Sequence, residues 1–268
     1  MKRKFNIYYA KYLFERFQSE SRLILSGKFH SGFCTICEKR TIFVHRGKYL
    51  REKFRCIYCD SFSRWRALVY ILNKYFPNYR DLAIHESSPS GSVSDKLLRE
   101  CKSYTPSHSW QNVPKGDYHE GIRCENLEKQ TFSDQSFDIV ITQDVFEHVL
   151  NPDKAFVEIE RTLKPNGVHL FTVPWNKNQP TFVRVKDSSS GFQYFADEKF
   201  HGNPIDPSGS LVITDWGDNL VDYIYSTSSM KTKIFFLDNS RYGFIRRSEV
   251  FLSYKPQHPN LIINNKKW

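Results

Sequence analysis

The sequence predicts an α/β protein: a Rossmann-like, mostly parallel sheet with helices on both faces, preceded by a small cysteine-bearing module. Three observations carry this expectation. From residue 80 onward, short strand-like runs alternate with helical ones. Four of the six cysteines fall into two C-x2-C pairs near the N-terminus. Charge is also divided: residues 1–80 hold 18 Lys+Arg against 5 Asp+Glu, net +13, whereas residues 81–268 hold 21 against 24, net −3. The 268 residues, 40% hydrophobic and 16% aromatic, suffice for an ordinary domain with a small appendage and exclude a disordered chain. The sequence lacks an apolar run of about 18 residues that would span a membrane. Residues 1–16 lack the apolar core of a secretory signal, so a cytoplasmic protein is expected.

The N-terminal module, residues 1–62, opens with Tyr8, Tyr12, Leu13, Phe17 and Leu23 at steps of three to four, the pattern of an amphipathic helix. Cys34-Thr-Ile-Cys37 and Cys56-Ile-Tyr-Cys59 follow, 18 residues apart. Each two-residue gap lets both thiolates face one ion, so the spacing points to a tetrahedral zinc site whose closed shell is structural. Apolar and polar residues alternate over 41–45 and 49–55 around Gly47, which predicts a β-hairpin carrying the second pair, hence a zinc ribbon. Cys101 and Cys124 have no paired spacing and are expected as core thiols. The net +13 reads either as a surface for an anionic partner or as a solvated basic face that a tetrathiolate would partly offset.

The body, residues 63–268, starts with a helix over 63–76 that opens at Ser63 and stops before Pro77. A strand is expected over 82–86, then the small-residue loop Ser87-Ser-Pro-Ser-Gly-Ser92 and a helix over 93–101. A strand over 137–142, a helix over 151–163 opened by Asn151-Pro152, and a strand over 168–173 after the turn Lys164-Pro-Asn-Gly167 continue the alternation. In such sheets the ligand sits beyond the carboxyl ends of the strands, here residues 86–91, 125–126 and 143–148.

Asp134-Gln-Ser-Phe-Asp-Ile-Val-Ile-Thr-Gln-Asp-Val-Phe-Glu-His-Val149, followed by Asn151-Pro152, Glu158-Ile-Glu-Arg161 and Leu163-Lys-Pro-Asn-Gly167, resembles the class I S-adenosylmethionine (SAM)-dependent methyltransferases. The likeness covers about residues 80–175. It implies a seven-stranded sheet with a reversed last strand, completed by a helix over 218–226 and strands over 233–237 and 249–254. It also implies SAM as cofactor, with Glu86, Ser87, Ser88 and Gly91 around the methionine moiety. The family's glycine-rich first loop is reduced here to Glu86-Ser-Ser-Pro-Ser-Gly91. The acid that usually meets the ribose is replaced by Ser107 or His108, with Asp117 or Glu120 as substitutes from the next loop. By the same resemblance Glu125 stands beside the adenine amino group, with Asn126 next to it, and Gln143 and Asp144 line the cofactor or acceptor site. His148 is suited to take a hydroxyl proton, or the Glu147-His148 pair holds the loop.

Residues 174–215 form a polar insertion, where such enzymes build acceptor specificity. His201-Gly-Asn203 gathers a candidate base and a polar partner; Tyr194, Asp215 and Trp216 are candidates to line the pocket. Residues 200–204 and 209–217 resemble a bacterial subset associated with surface-polysaccharide and other small-molecule pathways. The expected activity is methyl transfer to an oxygen of a small polar, anionic acceptor such as a sugar nucleotide, with Arg51, Arg55, Arg64 or Arg66 offered to phosphate. Two alternatives are an RNA methyltransferase using the basic ribbon for ribosomal RNA, and a non-catalytic binding module. The tail, residues 255–268, is expected to run over the surface.

Overall fold

The structure, a computed structural model, describes residues 7–189, 191–203, 206–245 and 248–256, with side chains from residue 14 onward. Tyr8, Tyr12 and Leu13 as side chains, and the tail from residue 257, lie outside the described residues. The chain divides into two compact units, one comprising Met1–Tyr70 with Leu237–Ser248 and the other Ile71–Phe236 with Glu249–Trp268.

The first unit begins with helix α1 (Ile7–Leu25). Phe17, expected on its apolar face, is 68% exposed. A three-stranded antiparallel sheet follows, β1 (Phe29–Cys34), β2 (Lys39–His45) and β3 (Phe54–Cys56), in that spatial order. β2 and β3 pair as the expected hairpin, but Leu50–Lys53, expected within its second strand, form a short helix, and β1 extends the sheet. Phe43 and Phe54 are buried between the strands with ring centroids 5.5 Å apart. Gly32 permits a close approach, since a Cβ there would lie 2.2 Å from the Arg241 carbonyl oxygen. Helix α2 (Ser63–Tyr75) is the one expected from Ser63 and Pro77, and the division between the units falls inside it, eight residues beyond a cut at residue 62.

The second unit is built on β4 (Ala83–Ser87), α3 (Gly91–Glu100), β5 (Ser103–His108), β6 (Tyr118–His119), β7 (Ile122–Cys124), β8 (Phe137–Gln143), α4 (Pro152–Thr162), β9 (Leu163–Thr172), α5 (Leu220–Ser228), β10 (Lys231–Phe235) and β11 (Val250–Tyr254). The strands form one sheet in the order β10-β11-β9-β8-β4-β5-β7-β6. From β9 through β7 neighbours are parallel, and β11 runs antiparallel to both β9 and β10. The reversed strand is where the resemblance put it, but among the described residues the sheet has eight strands in place of the expected seven. The extra one is β6, which returns onto β7 through Glu120 and Gly121 with φ of +50° and +81°. Two successive positive φ values make the tight hairpin turn whose twist suits adjacent antiparallel strands.

Strands β8 and β9 are buried on both faces, as near-continuous apolar runs in a helix-covered parallel sheet should be. The core joins Phe146, Phe156, Phe171, Leu220, Ile224 and Phe251, with Phe146 and Phe156 stacked at 4.1 Å. Trp216, expected to line the pocket, belongs to this core, 1% exposed and packed against Tyr223. Its alternation with Asp215 places it on the inward face of a short strand, a register that composition alone does not reveal.

The insertion is more regular than its composition suggests. Val185–Ser188 pairs with Gly191–Tyr194, Phe200–His201 pairs with Ser210–Leu211, and Thr214–Gly217 pairs with both Trp175–Asn176 and Phe182–Val183. Gly217 is required there, because a Cβ would lie 2.1 Å from the Gln179 carbonyl oxygen. Among the described residues no helix is long and apolar enough to cross a membrane.

Candidate functional site

Because β4, β5, β7 and β8 are parallel, their carboxyl ends emerge at one edge of the sheet. At the end of β4, Glu86 is fully buried. Tyr104 Oη donates to its Oε2 at 2.5 Å and Gln143 Nε2 donates to its Oε1 at 2.7 Å. Burial pushes the Glu86 carboxyl upward, against the hydrogen bonds from Tyr104, Ser94 and Gln143. The loop beyond it turns through Ser88 at φ +56° and enters α3 at Gly91 with φ +65°. Ser88 N–H donates to the Ser107 carbonyl at 2.8 Å, which ties the loop to β5. The amide oxygen of Gln143 is buried without a hydrogen-bond partner, an acceptor held at this edge.

Further along the edge, Glu125 is buried and both its oxygens are engaged. Oε1 accepts from Arg123 Nε at 2.7 Å and Thr131 Oγ1 at 2.5 Å, and Oε2 accepts from the Thr131 amide at 2.8 Å. Asn126 Oδ1 accepts from the Glu128 amide at 2.9 Å, closing the turn that follows. His108, at the end of β5, packs against Trp110 at 5.1 Å, and burial lowers its pKa. Asp144 sits at φ +52° and accepts from Thr172 Oγ1 at 2.9 Å. Asp117 and Glu120 flank the β6 hairpin.

The strongest gathering of chemistry-bearing groups involves Glu147, His148 and His201. Glu147 and His148 lie in the helical turn Phe146–His148 just after β8, and His201 lies on the short strand Phe200–His201. Glu147 is 1% exposed, and neither of its carboxylate oxygens has a hydrogen bond. His148 Nε2 stands 3.7 Å from Glu147 Oε1, and His201 Nδ1 stands 3.5 Å from the same atom. The two rings meet edge to face at 5.1 Å. His148 Nδ1 is 2.7 Å from the Leu211 carbonyl oxygen, and that contact makes Nδ1 the protonated nitrogen. The Ile213 amide donates to the Glu147 carbonyl at 2.7 Å, joining the turn to the insertion. Glu147 as the hub was visible in the sequence only as the neighbour of His148.

Of the remaining residues in the insertion, Asn203 Nδ2 donates to Ser210 Oγ at 3.0 Å. Asp215 receives Arg184 and Lys199 at 2.8 and 2.9 Å. Burial alone would raise its pKa, but those two cations hold it low. Tyr194 is exposed at the end of its hairpin.

In the first unit, the four sulfurs of Cys34, Cys37, Cys56 and Cys59 lie within 4.8 Å of one another. Cys34 and Cys59 are 3.6 Å apart, and Cys37 and Cys56 3.9 Å, with no disulfide. Four thiolates around zinc at the usual bond length stand about 3.8 Å apart, so the cluster fits a tetrahedral ion. Arg66, expected among the groups offered to phosphate, is wholly buried instead. Its guanidinium donates to the carbonyls of Ser61, Phe54 and Gly243 and stacks on Phe43 at 4.3 Å. Burial lowers its pKa to about 10 while the cysteines oppose the shift, which makes it a counter-charge to the thiolates. Arg51 and Arg64 are also buried, the latter 3.6 Å from Glu52, and Arg55 pairs with Asp60 at 2.6 Å over the Phe62 ring.

Residues 90–171 match the family described as methyltransferase domain. The chain is similar to a SAM-dependent methyltransferase from Methanosarcina mazei, at 16% identity over 67% of this chain and 95% of that one, TM-score 0.40. It is similar to another from Mesorhizobium loti, at 12% identity over 72% and 97%, TM-score 0.45. A third similarity is to the 1,6-didemethyltoxoflavin-N1-methyltransferase of Burkholderia thailandensis, at 10% identity over 72% and 78%, TM-score 0.42. No curated protein matches the sequence at a significant level. The matched span, residues 90–171, carries the loop-to-helix entry at Gly91 and the edge residues after β8.

Proposed function

We propose that the protein transfers the methyl group of SAM to an oxygen of a small polar acceptor, phosphorylated or nucleotide-linked, such as a sugar precursor of a surface polysaccharide. The observation that carries this reading is the pair of imidazoles, His148 and His201, gathered around the buried Glu147 at the same edge as the loop after β4. Transfer from a sulfonium needs alignment first, and a hydroxyl acceptor also has a proton to lose. His201, backed by Glu147, takes that proton; His148 is its alternate, and Asp144 orients the acceptor.

SAM fits the methionine end of the edge. Ser87, Ser88 and Gly91 let the backbone approach closely through two positive-φ turns, Glu86 anchors the loop, and the unpaired Gln143 oxygen is left to accept from the cofactor's ammonium. The adenosine end is assigned to His108, Glu125 and Asn126. Glu125 is already held by Arg123 and Thr131, so its part there is mainly to shape the loop. Tyr194, Asn203 and Asp215 bound the acceptor side. Zinc at the four cysteines would hold the ribbon together and supply no chemistry to the transfer.

The RNA reading draws on the net +13 of residues 1–80, but Arg51, Arg64 and Arg66 lie buried within that charge. The test is SAM-dependent product formation, read by mass spectrometry, against a mixture of nucleotide sugars and phosphorylated sugars. A mass gain of one methyl group is expected, and His201→Ala should abolish most of it. SAM binding without turnover on these acceptors would favour RNA; absence of SAM binding would overturn the enzymatic reading.

A further inference from the structure

We infer that Glu147, His148 and His201 form a binding site for one divalent first-row transition-metal ion. The site deepens the reading above, and rests on it only for its role in transfer. The argument begins with Glu147. A carboxylate that is 1% exposed with neither oxygen hydrogen-bonded is costly unless a cation stands against it. The groups facing it are two imidazoles, and their nitrogens lie 3.7 and 3.5 Å from one carboxylate oxygen. These separations are long for hydrogen bonds. They are close to the spacing of about 3.4 Å between neighbouring ligand atoms on a tetrahedral ion with nitrogen and oxygen bonds near 2.1 Å.

The second layer is also in place. His148 gives its Nδ1 proton to the Leu211 carbonyl at 2.7 Å, which orients the ring and leaves the Nε2 lone pair pointing to the common centre. The Glu147 carbonyl accepts from Ile213 at 2.7 Å, and His201 pairs across to Ser210, so one segment of the insertion, residues 210–213, fastens all three ligands. Two imidazoles and one carboxylate suit manganese, iron, cobalt or zinc better than magnesium or calcium, which prefer all-oxygen shells. The side chains of His148 and His201 are 20% and 32% exposed, so coordination positions remain open toward solvent. An acceptor with two neighbouring oxygens would bind there, and its coordinated hydroxyl would ionise more readily than a free one. In the loaded protein the ion favours the alkoxide and the hydroxyl proton passes to solvent water at the open positions, whereas in the metal-free protein the imidazole accepts it.

The experiment uses the full chain with its cysteine site filled by zinc. Manganese(II), which binds thiolates poorly, is titrated and free ion read by electron paramagnetic resonance, with cobalt(II) absorption as the second probe. One saturable manganese per chain is expected. Affinity should fall at least about tenfold in Glu147→Gln and in His201→Ala, with little change in the exposed control Asp187→Asn. Thermal melting of each variant establishes that it remains folded. Binding of neither ion to the wild type, or binding unchanged by both ligand substitutions, overturns the site. The readout needs neither SAM nor acceptor, so failure of methyl transfer leaves this result standing. Turnover insensitive to chelation in a protein that binds no ion would retain His201 as the base and reject the metal.

Discussion

Two histidines buried in the central sheet make stability depend on pH over a defined window. His85 on β4 and His169 on β9 are fully buried; each has one ring nitrogen paired, to Ser107 Oγ at 2.8 Å and Thr142 Oγ1 at 2.9 Å, and Nδ1 without a partner. Burial, reinforced at His85 by the charge of Arg123 and at His169 by His85, pushes both pKa values down to about 3. In the unfolded chain each titrates near the ordinary value of 6.5. Between these values the unfolded state binds a proton that the folded state refuses, so stability is complete above pH 6.5 and is lost as pH falls toward 3. At pH 5.5 the loss is about 1.4 kcal/mol per histidine, or about 3 kcal/mol for both, a large share of a typical domain's stability. Urea denaturation of the wild type and of the His85→Gln/His169→Gln double variant, at pH 7.5 and 5.5, measures it. The wild type should lose about 3 kcal/mol more than the variant across that interval. Thiolate protonation at the cysteine cluster is common to both proteins and cancels. Equal pH dependence in the two, or imidazole resonances titrating near 6.5 in the folded protein, would refute the reasoning.

Other outcomes follow from single contacts. Removal of zinc by a strong chelator, or Cys34→Ser, should unfold the ribbon and expose Arg66, read as increased amide exchange over residues 29–66 with β8 and β9 still protected. Gly217→Ala should destabilise by about 1–3 kcal/mol, since its Cβ would overlap the Gln179 carbonyl at 2.1 Å and the neighbouring backbone must shift; the urea midpoint checks it. Glu125→Ala should cost about 1–3 kcal/mol by stranding Arg123 and the Thr131 amide, whereas a loss of SAM affinity with unchanged stability would show a direct contact with the cofactor. Phe156→Ala should cost about 3–5 kcal/mol through the cavity left between Phe146 and Phe171.

Much of the fold was legible because its signals are local. The runs around Ile84, Ile139 and Leu170 are apolar enough to name buried strands, Asn151-Pro152 opens α4 as expected, and two C-x2-C pairs bring four sulfurs together. Strand β6 escaped because two exposed residues carry no periodicity, and only the turn at Glu120-Gly121 marks it. The burial of Trp216 and Arg66 escaped for a related reason. An aromatic residue in a polar loop and an arginine in a basic stretch look exposed until the register of a short strand or the face of a helix turns them inward.

The sequence by itself determined the alternation of strands and helices, the cysteine cluster, the Glu-His pair after β8 and the extent of the insertion, all functions of residue spacing along the chain. Only the tertiary structure decided which charges are satisfied. It closed Glu125 onto Arg123 and Thr131, buried Arg66 behind the thiols, and left Glu147 without a hydrogen bond between two imidazoles that are 53 residues apart in sequence. Burial and long-range pairing set the cost of a charge, and neither is a property of local sequence.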